Sequence, residues 1–274
     1  MKNSPRKQPA VIPETGKRLG EFFSRFKAGA APLLLLDYDG TLAPFRADRF
    51  QARPWPGVRE LLNQIQSRGK TRMVVITGRP AAEIAPLLDL NRPIEVWGLH
   101  GMERLYSDGR RELGGVSASA LKKLDELRQH LKRDSLGGLF EDKPNAAVMH
   151  WRGAAAQKAA EIEHRTRALF EPLAQTEGLA LLEFDSGLEL RAGRGKGEAV
   201  ETILAEVKHT APAAFLGDDI TDEEAFRALN RAALPHLSVL MRSEWRETTA
   251  DVWLRPPAEL RMFLQTWLET VNLI

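Results

Sequence analysis

Short apolar runs that end abruptly in polar residues recur along the chain, and segments with helical periodicity lie between them. The first run is 33–36, and a helix-like segment over 55–68 separates it from the next run, 73–76. Similar runs lie at 94–97, 213–216 and 239–241. Such runs are typical of strands buried on both faces, so the pattern predicts a parallel sheet with crossover helices. We therefore expect an α/β protein.

The middle of the chain has a different rhythm. Segments 117–133 and 154–170 are helix-like, whereas 138–142, 146–151, 179–184 and 187–191 are strand-like. This α-β-β-α-β-β order indicates an α+β module inserted into the parallel sheet. We predict a flexible tail over 1–18, a core domain formed by 19–114 and 192–274, and an inserted domain over 115–191.

Composition narrows the possible functions. The 274 residues are 43% hydrophobic and carry a net charge of +2, so no overall field recruits nucleic acid or an anionic membrane. The chain has no cysteine, which excludes disulfides, thiolate nucleophiles and cysteine-ligated metals. No run approaches the roughly 18 apolar residues of a membrane span. We expect a soluble, cytoplasmic protein without nucleic-acid or membrane partners.

Carboxylates follow two of the apolar runs. Asp37 and Asp39 come directly after the first run, and Asp218, Asp219 and Asp222 come after the run 213–216. The carboxyl ends of parallel strands share one edge of a sheet, so these groups should converge there. Buried carboxylates need a compensating cation or donors, and Mg²⁺ favours carboxylate oxygens together with phosphate. An Asp-Gly turn or a helix cap is the simpler reading of either motif alone.

Two further short motifs suit a phosphate group. Thr77-Gly78-Arg79 follows the second run and supplies a hydroxyl and main-chain donors, while Lys196 stands between two glycines before a helix-like segment. A helix N-terminus and an ammonium group together can hold phosphoryl oxygens and neutralise developing charge. Taken separately, Thr77 could cap a helix and Lys196 could be a solvated surface residue.

The combined pattern resembles the haloacid dehalogenase superfamily of phosphohydrolases. This resemblance implies a Rossmann-like parallel-sheet core with an inserted α+β cap domain. It implies that Asp37 is the nucleophile, that Asp39 is the general acid and base, and that Thr77 and Lys196 bind the phosphoryl group. The implied Mg²⁺ ligands are Asp37, the main-chain carbonyl of Asp39, and Asp218, with Asp219 and Asp222 as alternative or supporting ligands.

Within that superfamily, residues 33–226 are similar to the trehalose-6-phosphate phosphatases. Four stretches carry the similarity: 36–42, 98–101, 141–143 followed by 150–152, and 217–226. The similarity implies Mg²⁺-dependent hydrolysis of trehalose 6-phosphate, a small-molecule sugar phosphate, and we expect the enzyme to be a monomer.

The same resemblance implies that the inserted domain is a cap that reads the sugar. Closure of a cap excludes water and adds polar contacts to hydroxyl groups. The implied sugar contacts are Glu141 and Lys143, with His100, His150, Arg152 and Glu189 as further candidates, while Gly78 and Arg79 accompany Thr77 at the phosphate. Without the resemblance, Glu141 and Lys143 would be read as an ion pair on a solvated sheet.

Three other functions stay open from the sequence. A related capped phosphatase could act on another glycosyl phosphate, such as mannosyl-3-phosphoglycerate. A sugar phosphomutase would use the same catalytic residues without net phosphate release, and a non-catalytic binding domain would keep only the fold. A dinucleotide-binding enzyme is excluded, because no G-x-G-x-x-G sequence follows the first strand.

Overall fold

A computed structural model of the protein describes residues 12–46, 48–133, 139–143, 145–184 and 186–274. The contacts divide the chain into two compact units. The first runs up to Leu113 and resumes at Gly195, and the second is Gly114–Arg194. The second unit begins one residue before the predicted insertion over 115–191 and ends three residues after it.

A sheet of eight strands, counted over the described residues, forms the centre of the first unit. Its spatial order is β12 (Val252–Leu254), β11 (His236–Met241), β10 (Ala213–Gly217), β1 (Leu33–Leu36), β2 (Arg72–Ile76), β3 (Glu95–Gly98), β4 (Glu103–Leu105) and β5 (Arg111–Leu113). Neighbours from β12 to β3 are parallel, whereas β4 and β5 form an antiparallel hairpin at the edge. The predicted parallel sheet is confirmed. The hairpin was not predicted, because its short strands are mostly charged.

Helices cover both faces of this sheet. They are α1 (Ile12–Phe23), α2 (Val58–Ser67), α3 (Ile84–Leu88), α6 (Lys196–Ala205), α7 (Glu223–Asn230) and α8 (Ala258–Leu273). Successive leucines of β1 point to opposite faces, so Leu34 and Leu36 join the core under α2 and α8, and Leu33 and Leu35 join the core under α6 and α7. A search of the described helices for one able to cross a membrane finds none.

The predicted N-terminal tail is partly wrong. Residues 12–18 belong to α1, while residues 1–11 lie outside the described part of the chain. The helix is tied to the core by aromatic packing, since the ring centroids of Phe22 and the fully buried Trp267 are 6.1 Å apart. The Arg18 guanidinium also lies 3.0 Å from an Asp251 carboxylate oxygen. Burial of Phe22 therefore anchors α1, and residues 12–18, which were predicted to be flexible, form the beginning of this helix.

The second unit is an antiparallel sheet covered on one face by two helices. Its described strands follow the order β6 (Phe140–Lys143), β7 (Ala146–His150), β9 (Gly187–Ala192) and β8 (Leu179–Phe184), and its helices are α4 (Ala118–Arg133) and α5 (Ala156–Ala174). Leu124 of α4 and Phe170 of α5 share a buried core with Met149 and Leu190 of the sheet. Side chains alternate across a strand, so the opposite face carries the polar positions.

Candidate active site

The predicted catalytic residues follow neighbouring strands of the central sheet. Asp37 follows β1, Thr77 follows β2 and Asp218 follows β10, and these strands are adjacent in the order β10-β1-β2. All three are parallel, so the polar residues lie at one edge of the sheet. The structure therefore brings together groups that are far apart in sequence.

Lys196 links the two acidic motifs. It is the first residue of α6 and is buried, and its Nζ donates to Asp37 Oδ1 at 2.7 Å and to Asp222 Oδ1 at 2.6 Å. Burial favours the neutral amine, but the charges and hydrogen bonds of Asp222 and Asp37 outweigh it and raise the pKa of Lys196. The ammonium group is therefore permanently charged at neutral pH, and it is a constituent of the site rather than a surface residue.

Three buried carboxylates lie close together here, and two of them, Asp37 and Asp222, bind this ammonium. Asp37, Asp218 and Asp222 each offer one oxygen, and these oxygens lie within 4.8 Å of one another. Burial raises the pKa of Asp37 to about 7; the Lys196 charge opposes this shift, and the Asp222 charge adds to it. Burial and the charges of Asp37, Asp222 and Asp219 raise the pKa of Asp218 to about 10. One ammonium is thus too little positive charge for three carboxylates.

This surplus of negative charge fits a divalent cation. Within the described ranges, the Asp218 carboxylate forms no ion pair, so it is the group most in need of a partner. The donor set contains only oxygen atoms, which hard cations such as Mg²⁺ and Ca²⁺ prefer and which Zn²⁺ in structural sites seldom uses alone. The residues present therefore fit the predicted metal.

The loop after β10 owes its shape to Asp222. Asp222 Oδ2 accepts hydrogen bonds from the backbone nitrogens of Asp218 and Asp219, both at 2.9 Å. These bonds turn the loop so that Asp222, which is fully buried, lies beside Asp37, while the Asp219 side chain is exposed. From the sequence, Asp219 was expected to bind metal and Asp222 to support the metal ligands. The structure places Asp222 in the acidic group and leaves Asp219 outside it.

Asp39 is paired with Arg79. The guanidinium Nε lies 2.6 Å from Asp39 Oδ2, and Nη2 lies 2.6 Å from Oδ1, which is a bidentate arrangement. The hydrogen bonds to Asp39 raise the pKa of Arg79 despite its burial. The Arg79 guanidinium also donates to the Arg49 carbonyl at 2.7 Å and lies 5.5 Å from the ring centroid of Tyr38. Arg79, predicted to contact substrate, here holds the predicted acid and base.

Thr77 and Gly78 form a tight loop against His100. The Thr77 hydroxyl is buried and accepts from the Arg79 backbone nitrogen at 3.1 Å, and the His100 backbone nitrogen donates to the Thr77 carbonyl at 2.9 Å. A Cβ at Gly78 would approach His100 Nε2 to 2.6 Å. The imidazole therefore lies on the exposed Gly78 backbone, and His100 supports the loop predicted to bind phosphate.

The predicted sugar contacts of the second unit share one face of its sheet. Glu141 pairs with Val148 across β6 and β7, and Val148 pairs with Glu189 of β9. His150 lies two residues beyond Val148 on the same face, and its Nε2 is 2.9 Å from Glu141 Oε2. This face is opposite the one that α4 and α5 cover, so it presents polar groups away from the core of the unit.

The other two candidates in this unit lie at strand ends. Arg152 is exposed just beyond β7, and Lys143 is the last residue of β6, with a side chain outside the described part of the structure. Arg191, which the sequence analysis did not select, is buried on β9, and its Nη1 lies 3.8 Å from Glu189 Oε1. Its charge makes Glu189 part of a charged pair rather than an isolated acid.

A family model of trehalose-phosphatases matches residues 35–253, which include both acidic motifs, Lys196 and the whole inserted unit. The chain belongs to the trehalose-phosphatase family. A curated relative, the trehalose-phosphate phosphatase of Mycolicibacterium paratuberculosis, is 28% identical over 249 residues, 87% of this chain and 62% of that protein. The chain therefore spans about three fifths of the length of this member of the trehalose-phosphatase family.

Solved structures agree with the fold of the trehalose-phosphatase family. The trehalose-6-phosphate phosphatase of Aspergillus fumigatus matches with a TM-score of 0.72 at 24% identity, covering 93% of this chain and 97% of that one. A haloacid dehalogenase-like hydrolase from B. subtilis matches with a TM-score of 0.59 at 17% identity, covering 85% and 98%. At these identities the likeness establishes a capped α/β fold of the haloacid dehalogenase type.

A polar network beside the acidic loop was not predicted from the sequence. Glu223 is buried, and four hydrogen bonds from Thr248, Thr249 and Arg246 join it to the segment after β11. Burial alone would raise the pKa of Glu223, but the donors of Thr249, Thr248 and Arg246 lower it. The sequence signal was an acid at the start of α7, which is equally typical of an ordinary helix N-terminus.

Gly40 gives a direct test of how closely the two acidic motifs approach. Its φ is +80°, and a Cβ there would lie 2.1 Å from Asp218 Oδ2. We expect Gly40→Ala to displace Asp218 and lower activity by on the order of 10²-fold or more, by analogy with misplacement of catalytic groups. Strained backbone adds about 1 kcal/mol of destabilisation. Phosphate release and thermal unfolding measure the two effects.

Gly29→Ala is the matched control for this substitution. Gly29 has a φ of +83°, and a Cβ there would meet no atom within 4 Å. The control should show the backbone cost in its melting temperature and keep full activity. If Gly40→Ala were as active as Gly29→Ala, the close approach of the two motifs would not matter for function.

Proposed function

We propose that the protein hydrolyses trehalose 6-phosphate to trehalose and phosphate, with Mg²⁺ bound and with Asp37 as the nucleophile of an aspartyl-phosphate intermediate. The observation that carries this proposal is the Asp37 carboxylate, which lies beside a permanently charged lysine within a buried group of three acids. A carboxylate held in this way suits attack on phosphorus better than proton transfer alone. Family membership supports the substrate.

Asp37 and Asp218 would hold the metal through their carboxylates, and the main-chain carbonyl of Asp39 would complete the protein ligands. Asp219 is the alternative ligand, and Asp222 supports the loop. When bound, Mg²⁺ would neutralise the surplus charge of the acids and polarise the phosphoryl group. This role follows from the donor set and from the raised pKa values of Asp37 and Asp218.

The reaction then proceeds in two displacements. A carboxylate oxygen of Asp37 bonds to phosphorus, the bond from phosphorus to the sugar oxygen breaks, and Asp39 gives its proton to that oxygen. In the second displacement, Asp39 takes a proton from water, the water oxygen bonds to phosphorus, and the bond to Asp37 breaks. Phosphate leaves, and both acids return to their starting states.

The Asp39–Arg79 pair has a consequence for this sequence of steps. The bidentate guanidinium occupies both carboxylate oxygens of Asp39, whereas the first displacement needs one of these oxygens free to reach the leaving sugar oxygen. We propose that the Asp39 side chain leaves Arg79 when substrate binds. Arg79 would then be released to contact the phosphate, in keeping with the role expected from the sequence.

Two positions would hold the phosphoryl oxygens. The Lys196 ammonium lies 2.7 Å from Asp37 Oδ1 and neutralises charge that gathers on phosphorus during each displacement. The Thr77 hydroxyl, with the backbone of the exposed Gly78, would donate to the same group. The Thr77–Gly78 loop is held by His100, so that His100 acts on phosphate through the loop.

The polar face of the second unit is the part that we propose binds the sugar. Glu141, His150 and Glu189 share that face, Lys143 is the last residue of β6, and Arg152 lies just beyond β7. Carboxylate, imidazole and ammonium groups bind sugar hydroxyls well, and a site built for hydroxyls rejects analogues that lack them. Because a charged phosphate ester does not cross a membrane unaided, we propose that the enzyme acts in the cytoplasm. We also propose that it is a monomer.

Phosphate release tests the proposal. The purified protein is incubated with Mg²⁺, and again with a chelator, on trehalose 6-phosphate, glucose 6-phosphate, sucrose 6-phosphate and mannosyl-3-phosphoglycerate. We expect release from trehalose 6-phosphate alone, and we expect the chelator to abolish it. Preferred release from another ester would reassign the substrate. Isomerisation of a sugar phosphate without release would point to a mutase, and inertness on every ester would contradict an enzymatic role.

A further inference from the structure

The main-chain carbonyls of the acidic loop after β10 accept hydrogen bonds from two arginine side chains. Arg246 donates from Nη2 to the Asp219 carbonyl at 2.7 Å and from Nε to the Asp218 carbonyl at 3.4 Å. Arg242 adds a bond from Nη1 to the Asp218 carbonyl at 3.3 Å. One planar guanidinium thus spans two consecutive peptide groups, a geometry that lysine cannot reproduce.

Arg246 is itself fixed by Glu223. Its Nη1 donates to Glu223 Oε1, which also accepts from the Thr248 hydroxyl at 2.7 Å. Glu223 Oε2 accepts from the Thr249 backbone nitrogen at 2.8 Å and from the Thr249 hydroxyl at 2.7 Å. Both carboxylate oxygens are therefore saturated, and the Arg246 side chain is only 19% exposed. The network holds the guanidinium in one orientation.

The Asp218 carboxylate depends on this main-chain support. Asp222 binds the amide side of residues 218 and 219, and Arg246 binds the carbonyl side, so the peptide groups are held on both sides. The carboxylate itself makes no ion pair with any residue that the structure describes, and the charges of Asp37 and Asp222 repel it. Its position close to Asp37 must therefore be imposed by the backbone.

We propose that Arg246 is a positioning residue for the metal site. It fixes the backbone of Asp218, and Glu223 holds Arg246 in place. This inference rests on the proposed function, because it assumes that Asp218 is a metal ligand. Groups that orient metal ligands typically contribute 10–100-fold to metal affinity or activity. Arg246 contacts neither the acidic oxygens of the site nor Lys196 in the hydrogen bonds described above.

The test is Arg246→Lys, which keeps the charge and removes the planar fork, together with Arg246→Gln. Mg²⁺ binding to the metal-free protein is measured by calorimetry without substrate, and kcat and KM are measured across Mg²⁺ concentrations. We expect Mg²⁺ affinity to fall about 10-fold or more in both variants. At saturating Mg²⁺, kcat should return most of the way to the wild-type value, with KM for the sugar phosphate little changed.

Arg231→Gln is the matched control, because Arg231 directly follows α7 and pairs with exposed Glu201. It should bind Mg²⁺ like the wild type. Wild-type affinity in Arg246→Lys would overturn the role of Arg246 alone, whereas absence of Mg²⁺ binding in the unaltered protein would overturn the metal site and this inference with it. Loss of cooperative unfolding in Arg246→Lys would also overturn it, because Arg246 would then be a determinant of the fold.

Discussion

Asp37→Asn is expected to abolish turnover while the protein stays folded. The amide has the same shape but cannot attack phosphorus, so kcat should fall on the order of 10⁴-fold or more. The fold should tolerate the change, because burial raises the pKa of Asp37 to about 7 and a neutral group costs less to bury there. Lys196 keeps its 2.6 Å contact with Asp222 Oδ1. Phosphate release and circular dichroism with thermal unfolding measure the two outcomes.

Asp89→Asn provides the control for Asp37→Asn. Asp89 pairs with Arg59 on the surface, and 69% of its side chain is exposed. The control should retain wild-type kcat and a nearly unchanged melting temperature, since exposed ion pairs contribute little. Turnover by Asp37→Asn within about tenfold of the control would remove Asp37 from the role of nucleophile.

Lys196→Met is expected to damage both stability and activity. The substitution leaves the carboxylates of Asp37 and Asp222 buried without their shared ammonium, and loss of one partner from a buried pair typically costs about 3–5 kcal/mol. Activity should fall on the order of 10²-fold or more, because the charge that we propose stabilises the transferring phosphoryl group is missing. Denaturant unfolding and phosphate release at saturating Mg²⁺ measure the effects.

Added Mg²⁺ should restore part of the lost stability in Lys196→Met, since a cation bound by the same acids offsets their repulsion. Lys208→Met is the control, because Lys208 is exposed in the same unit and should tolerate the change. If Lys196→Met were as stable and as active as Lys208→Met, Lys196 would not be a central element of the site.

Strongly apolar strands made the central sheet predictable. The runs at 33–36 and 213–216 are buried on both faces and hydrogen-bonded to each other, and they carry a clear signal without any tertiary information. The hairpin of β4 and β5 gave no such signal, because its residues include buried Glu103 and Arg104, whose charges are paired with Arg111 and with Glu206. Such pairing depends on the tertiary fold.

The candidate site was predictable where residue type and strand position coincide. Asp37, Thr77 and Asp218 each follow a strand, and parallel topology alone places such residues at one edge. The division between Asp219 and Asp222 was not predictable, because it depends on how the loop turns back through hydrogen bonds to Asp222. Nor did any pattern mark Arg246, whose contacts are with main-chain carbonyls in another segment.

The central claim is that the phosphoryl group passes through Asp37, and a rapid acid quench tests it most directly. The protein is mixed with Mg²⁺ and trehalose 6-phosphate labelled with ³²P, quenched during turnover, and digested with trypsin. We predict hydroxylamine-sensitive label in the peptide of residues 28–46, which contains Asp37, and no label in Asp37→Asn. Label confined to another peptide, or equal labelling of Asp37→Asn, would contradict the mechanism.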